Sequence, residues 1–495
     1  MNYFLIYPNN LFPKKQLIKF IPKDLDVKDL RFLIIEDPLF FGDKERIKNF
    51  TKLKLVLHRA SMQYYEDYLK DEIKVKSVKY IEYKDAKSYL KKLKKEDNVY
   101  MFDPCDHLLL KRIKKQLKSE PNILTTPLFL LSLEDLSEYE KEKGKSKTFF
   151  HKHFYDWQLK NNPGGIKVPY ISKSYDEENR KPPGKQLKVP SFIGDKVNDN
   201  DTKYVKEAKK YVEKNFKSNY GDVEDFFFPI THKTSNKWLK DFVKVRLKNF
   251  GTYQDAILQN EPFMFHSLLS SMINIGLLPP SEVLEEVIDY YEKNKKEVKI
   301  NNYEGFVRQL IGWREYERML YVLDYDNLTT SNYFGNSKRL NSKWYTGDTG
   351  LKPVDDTIKK AFKNGYLHHI ERLMVMLNIM NLARFHPRQI YNWFMEFACD
   401  SYDWVMVGNV YGMGYFSTNT MRKPYLSTSN YIRQMTDYKN DNHWNEVWDA
   451  LFYKFLTDNK SKLKGGAAVY LRNLVHFEKK SSKEKKEIFD KIKGL

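Results

Sequence analysis

Hydrophobic and polar positions follow two different rhythms along the chain. Over residues 3–130, short apolar runs alternate with amphipathic stretches. "YFLIYP" (3–8), "LRFLIIED" (30–37), "LKLVLHRAS" (53–61), "SVKYIEY" (77–83) and "NVYMFDP" (98–104) read as strands, since brief apolar runs of this kind suit a sheet buried on both faces. "ASMQYYEDYLKD" (60–71) and "KDAKSYLKKLKK" (84–95) read as helices between them. The alternation predicts an α/β domain over 1–130 with a parallel sheet. Ligands of such sheets sit beyond the carboxyl ends of the strands, where "IIEDP" and "FDPCDH" fall.

Residues 131–202 break the rhythm. From 144 onward they are rich in Pro, Gly, Lys and Asp, which predicts an interdomain linker or long surface loop, and such loops are usually functional. Over 203–495 apolar positions recur at helical spacing, as in "SEVLEEVIDYYEKN" (281–294) and "EGFVRQLIGWREYERMLYVL" (304–323). That predicts a large all-α domain.

Composition adds partners and exclusions. With 495 residues the chain has room for two or three domains, and 41% hydrophobic content excludes global disorder. A net charge of +20 favours a polyanion, either nucleic acid or an anionic membrane surface. Two cysteines, Cys105 and Cys399, exclude a disulfide framework and any Cys-rich metal site. No apolar stretch approaches the length of a membrane span and "MNYFLIYPNN" is no secretory signal, so a soluble cytoplasmic protein is expected. Aromatics at 15% suit stacking on flat ligands, and equally suit an A+T-biased genome.

Four segments carry candidate chemistry. In "FMFHSLLSSMINIGLLPP" (263–280), hydroxyls at a helix start suit a phosphate, or bond to neighbouring carbonyls. In "YEGFVRQLIGWREY" (303–316), Arg308 and Glu315 lie about two turns apart and so share a face, which suits a buried polar ligand or equally a surface ion-pair helix with one packed Trp. In "GYLHHIERLMVML" (365–377), Tyr366, His369, Ile370, Leu373 and Leu377 fall on one helical face, with His368 about 100° round. Adjacent histidines do not chelate one metal from a helix, so His369 is either a satisfied core residue or a proton donor beside a ligand. In "WVMVGNVYGMGYFSTNTMRKPYLSTSNYIRQM" (404–435), glycines and a proline mark a structured loop.

Taken together, the segments resemble the photolyase/cryptochrome superfamily, and more narrowly the prokaryotic (6-4) photolyases, the iron–sulfur bacterial branch. The residues that carry the resemblance are "LVLHRASM" (55–62), "PGG" and "YDEENRKP" (163–182), "HSLLS" (266–270), "EGFVRQLIGWREY" (304–316), "GYLHHIERLM" (365–374), "DSYDWVMVGNVYGM" (400–413) and "KPYLSTSNYIRQM" (423–435). Their order and spacing cover nearly the whole chain.

The resemblance implies an α/β antenna domain and a helical domain holding FAD, with light-driven electron transfer to a UV-damaged pyrimidine pair in DNA. It places His266, Ser267, Leu268, Leu269 and Ser270 at the flavin diphosphate, and Arg308, Gln309, Trp313 and Arg314 along the same pocket. Asn409 falls at the isoalloxazine ring. His369 matches the histidine that donates a proton in (6-4) repair, with His368 in support or on DNA and Tyr425 in the lesion pocket. Asp176 and Arg180 match the loop that reaches the lesion, where Asp176 is also a candidate ligand for a divalent ion such as Mg2+. Lys423 is assigned to DNA, and Glu36 to a lumazine-type antenna chromophore.

The chain departs from the family in two places. Pro353, Lys439, Asn442 and Glu446 stand where the family has the four cysteines of an iron–sulfur cluster, so no cluster is expected, and Trp444, Trp448, Phe452 and Tyr453 are expected to pack there instead. Among electron-transfer aromatics, Trp393 is kept, Phe394 stands where Tyr is common, and Trp344–Tyr345 reverses a Tyr–Trp pair. The leading expectation is a monomeric, cluster-free (6-4) photolyase acting on UV-damaged DNA, with no membrane partner. The alternatives are a cryptochrome-like blue-light receptor and a flavin-free DNA-binding relic.

Overall fold

The computed structural model describes residues 1–184, 187–438 and 442–493. Five short strands form one parallel sheet: β1 (Asn2–Ile6), β2 (Arg31–Ile35), β3 (Ser77–Ile81), β4 (Asn98–Phe102) and β5 (Asn122–Leu124). Their spatial order is β3-β2-β1-β4-β5. Leu5 of the central strand pairs with Leu33 on one side and Met101 on the other. Phe4, Leu5 and Ile6 are fully buried, as a strand covered on both faces requires. Strand order reverses at β1, which opens a crevice at its carboxyl end.

Four of the five predicted strands are present. "LKLVLHRAS" instead lies inside the Lys52–Tyr68 helix, where every residue from Leu53 to Met62 is buried. A helix buried all round shows the same unbroken apolar run as a buried strand, so periodicity could not separate them. The Lys203–Asn215 helix packs along it. The chain therefore returns to the α/β layer after the connector.

The connector is also more ordered than expected. It holds two helices, Leu133–Lys143 and His151–Asn161. The first starts at a reciprocal Ser132–Asp135 capping box. The second is anchored by buried Phe154, Tyr155 and Trp157. Among the described residues, only 162–184 and 187–202 fit the expected loop.

Buried ion pairs lock the α/β layer to the helical body. Arg46 forks onto Asp106 and reaches Asp403 at 3.2 Å, with all three side chains at 6% exposure or less. Asp403 also accepts the Tyr321 hydroxyl at 2.7 Å. Arg59 joins Glu36 at 2.8 Å and Glu207 at 2.7 Å, and lies 3.5 Å over the Tyr211 ring.

Where the resemblance places a cluster, the Asn442–Asp458 helix buries Trp444, Trp448 and Phe452. The Trp448 indole donates to the Ser427 carbonyl at 3.0 Å, and Tyr453 stacks on Phe477 at 4.8 Å. Pro353 is buried near the start of the Lys352–Asn364 helix, and exposed Glu446 pairs with Lys491. Lys439 lies outside the described residues, as does the side chain of Asn442. Among the described residues, no helix is long and apolar enough to cross a membrane.

His58 gives this packing a pH signature. Its Nδ1 faces the Phe40 carbonyl at 3.1 Å and its Nε2 the Tyr402 hydroxyl at 2.9 Å, so the ring sits neutral, donating from one nitrogen and accepting at the other. Burial, then nearby Lys54, push its pKa from 6.5 down to about 3. A depressed basic group stabilises the fold fully above its unfolded pKa, and that stability is lost as pH falls toward the folded value. We expect His58→Gln to flatten the fall in unfolding free energy between about pH 6 and pH 4 by roughly 1.4 kcal/mol per pH unit. Urea titrations at several pH values check it.

Candidate functional site

The paired histidines start from a break in the chain. The Lys352–Asn364 helix ends at Gly365, whose φ of +57° suits glycine. Residues 366–368 are irregular, and helix resumes at His369. Tyr366 thus precedes the helix, and the five-residue face expected from the sequence does not form. The outcome is the reverse of that expectation: His368 is buried at 2% and His369 is exposed. His368 stacks on His266, with centroids 4.4 Å apart and rings within 11° of parallel. Its Nε2 lies 3.5 Å from Glu371, which Lys360 also engages at 2.7 Å.

His369 is open to solvent, yet the surrounding protein desolvates it enough to push its pKa down to about 4. His369 is thus open to solvent on one side and crowded by protein on the others. The same signature recurs nearby. Ser267, Ser270, Gln309, Trp313, Arg372, Asn409 and Tyr425 are each partly open within buried surroundings. Leu268 takes a left-handed φ of +58°, a strained conformation for a branched side chain. Leu268 and Leu269 bury their side chains, so only their backbone can serve a ligand.

Among the described residues, three of the five π-helical segments carry these side chains: Arg308–Arg314 holds Gln309 and Trp313, Glu371–Leu377 holds Arg372, and Val407–Gly414 holds Asn409. Such i→i+5 segments concentrate at functional sites. They also overturn one expectation. Arg308 and Glu315 do not share a face, because the widened turn rotates them apart. Arg308 pairs with Glu304 at 3.1 Å and Asp176 at 2.9 Å. Glu315 accepts the backbone N–H groups of Leu130 and Leu131.

Asp400 ties these segments together. It takes both terminal nitrogens of Arg372 at 3.0 Å and the Ser270 hydroxyl at 2.7 Å. Its backbone carbonyl accepts from Asn274 at 2.7 Å. Asn274 in turn accepts from Arg314, which donates to the Leu128 carbonyl and lies over Trp404 and Phe129. Arg314 therefore ties Asn274 to Leu128 at the end of the α/β segment, and Arg308 is held by two carboxylates. His266 spends its ring on His368. The Asn409 amide donates to the Val405 carbonyl at 2.8 Å.

The surroundings of Trp313 are aromatic and charged. Trp313 lies 6.4 Å from His369 and stacks on His151 at 3.7 Å. Asp176 receives Arg180 at 2.6 Å as well as Arg308. Two guanidiniums fill that carboxylate and would repel a divalent ion, so the Mg2+ expectation at Asp176 does not fit. Among the described residues, no group of three His, Cys, Asp or Glu could hold a metal. Burial, then Asp176, raise the Asp255 pKa to about 6. Burial, then Asp176 and Asp255, push the Tyr425 phenol up to about 12, which places Tyr425 near both carboxylates. Lys423 and Arg422 are exposed beside it.

Other expected residues lie elsewhere. Glu36 is fully buried, and its oxygens accept from Arg59, Tyr80, the Tyr83 backbone and Tyr211. Four bonds exhaust a carboxylate, so Glu36 is not available to an antenna chromophore. Trp393 is fully buried, and its indole donates to the Trp344 carbonyl at 2.8 Å. Trp344 packs on Phe385, and Tyr345 sits near Phe362. A separate cleft of about 290 Å³, lined by Tyr325, His386, Arg388, Tyr391, Asp403 and Tyr411, contains none of the predicted residues.

Sequence reasoning missed His151, Asp255, Asp400 and Arg372. His151 lies in the segment read as linker. The Asp400 hub is built by contacts 28 to 130 positions apart.

The fold is a parallel α/β layer joined to a helical body. A family model described as "Deoxyribodipyrimidine photo-lyase-related protein" matches residues 4–228. A (6-4) photolyase of Agrobacterium fabrum is 36% identical over 305 residues, which are 59% of this chain and 58% of that protein. The match thus spans less than two thirds of that relative. A Synechocystis cryptochrome structure aligns with 99% of this chain and 94% of its own at 15% identity and a TM-score of 0.58. A class III photolyase structure from Agrobacterium tumefaciens aligns with 97% and 98% at 14% identity and a TM-score of 0.56. Residues 4–228 thus resemble that family, and the chain as a whole shares the fold of the two solved structures.

Ser267, Gln309 and Trp313 are partly open, whereas the Ser270 hydroxyl, the Arg372 guanidinium and the Asn409 amide are bonded within the chain. Asp400→Ala should cost about 3–5 kcal/mol, because Arg372 would stay behind as an unpaired, largely buried charge. A denaturant melt checks it, and an unchanged midpoint would contradict the hub.

Proposed function

We propose that the chain is a cluster-free (6-4) photolyase, a light-dependent flavoprotein that reverses UV-induced pyrimidine (6-4) photoproducts in DNA. The observation that carries this reading is His369, a reachable imidazole whose ring lies 6.4 Å from Trp313. The similarity to a (6-4) photolyase supports it. FAD, when bound, supplies the photoexcited electron.

The remaining chemistry belongs to the chain. Arg180, Arg422 and Lys423 are exposed cations on the lesion side, and the chain carries +20 overall. They would hold phosphates with salt-sensitive affinity. The lesion would leave the stack and enter the cavity between Trp313 and Tyr425. Repair returns a hydroxyl to its parent pyrimidine and needs a proton at the departing oxygen. In the protein alone, His369 is neutral at pH 7, with a pKa of about 4 set by burial and then by Arg372. A phosphodiester brought alongside adds negative charge, which raises that pKa and favours the charged ring once substrate is present.

The test uses FAD-loaded protein reduced beforehand, blue light and an oligonucleotide carrying one (6-4) photoproduct. Wild type should restore the pyrimidines. His369→Ala should keep its FAD and lose repair by at least roughly 10²-fold. Wild-type-like repair by that variant would sink the role of His369. No repair by wild type, with FAD bound and reduced, would favour a cyclobutane dimer as substrate or a photoreceptor role.

A further inference from the structure

One side chain that the proposed chemistry does not use stands directly against a ring that it does. The His151 and Trp313 rings stack with centroids 3.7 Å apart and planes within 12°, so the imidazole covers one face of the indole. Tyr155, one turn along the same helix, lies nearly parallel to His151 at 6.0 Å and 13°. Tyr316 meets both rings edge-on, at 5.4 Å from His151 and 5.7 Å from Trp313. Trp313 itself stays partly open.

The approach depends on a glycine. A side chain at Gly312 would stand 3.0 Å from His151 Nε2 and 3.2 Å from the Tyr155 ring, so its absence lets the Arg308–Arg314 segment lie this close to the His151–Asn161 helix. Gln158 fastens the same contact by donating to the Ile311 carbonyl at 2.6 Å. The Tyr155 hydroxyl donates to Glu304 at 3.0 Å, and Glu304 also accepts from Arg308, the residue that holds Asp176. One helix of the connector thus fixes the indole directly and, through Glu304 and Arg308, the loop that carries Arg180.

We propose that His151 is a positioning residue: it backs the Trp313 indole and holds its orientation, so that the open part of the ring receives a base flipped out of duplex DNA. The inference rests on the repair reading for its ligand. A ring already held by a stacked partner loses little further freedom when a base stacks on it, whereas a loose ring must first be ordered. Without His151 the indole could turn into the vacated space and away from its 6.4 Å approach to His369. The imidazole is neutral, because burial and then Arg308 push its pKa from 6.5 down to about 3. Its Nε2 is buried with no hydrogen-bond partner. Packing alone gives no reason for such an orphan, since an apolar side chain would fill the space without it. A five-membered ring is small enough to sit beside Gly312 and flat enough to cover the indole.

Equilibrium binding by FAD-loaded protein in the dark tests the role, on a duplex carrying one (6-4) photoproduct and on the same duplex undamaged. His151→Ala should weaken the lesion duplex by roughly tenfold. It should leave the undamaged duplex unchanged, because phosphate contacts from exposed cations do not pass through Trp313. Fluorine NMR of DNA-free protein labelled with 5-fluorotryptophan gives a second readout, with the Trp313 line assigned from Trp313→Phe. Wild type should show one narrow line displaced by the stacked imidazole, and His151→Ala a shifted and broadened one. Wild type with no preference for the lesion duplex would overturn the repair reading. Wild-type lesion affinity in His151→Ala, an equal loss on both duplexes, or an unmoved Trp313 line would overturn this one.

Discussion

Asp400 is the point on which the helical body turns. One carboxylate and its own carbonyl hold Ser270, Asn274 and Arg372, so three segments far apart in sequence meet at one residue. Arg314 extends that junction to Leu128 at the end of the α/β segment. The partly open residues are carried on these same segments. His369 is three residues from Arg372, and Ser267 three residues from Ser270. The polar groups behind these open residues are satisfied by one another. A low-dielectric surrounding makes such a network costly to leave incomplete.

Much of the fold was legible in the pattern of apolar positions. Four strands and the helical second half follow from it directly. The fifth strand, only three residues long, carries too little pattern to announce itself. "LKLVLHRAS" misled because a fully buried helix and a fully buried strand present the same uninterrupted hydrophobicity. The connector's two helices were hidden behind a composition rich in lysine, proline and glycine. His151, now stacked on Trp313, was lost with them.

The site was legible in part, and for a physical reason. Local motifs named His369 and Trp313, whose rings lie 6.4 Å apart, and Asp176 and Arg180, which pair at 2.6 Å. They did not reveal which side chains the protein would spend on itself. Arg308, Arg314, His266 and Glu36 are all committed to internal partners, and a motif cannot show that. Nor could helical periodicity reverse the order of the two histidines. That depended on Gly365 ending one helix and on the next beginning at His369. The π-helical segments have no sequence signature and still decide which residues share a face.

The central claim is that one cavity brings a flavin and a flipped lesion together at His369. A crystal structure of FAD-loaded protein bound to a duplex carrying one (6-4) photoproduct tests it most directly. The account predicts the lesion extruded from the helix, lying against Trp313 and Tyr425 with a His369 ring nitrogen at the transferred hydroxyl. A lesion left stacked in the duplex, or a flavin seated in the cleft around Tyr325 and Arg388, would contradict it.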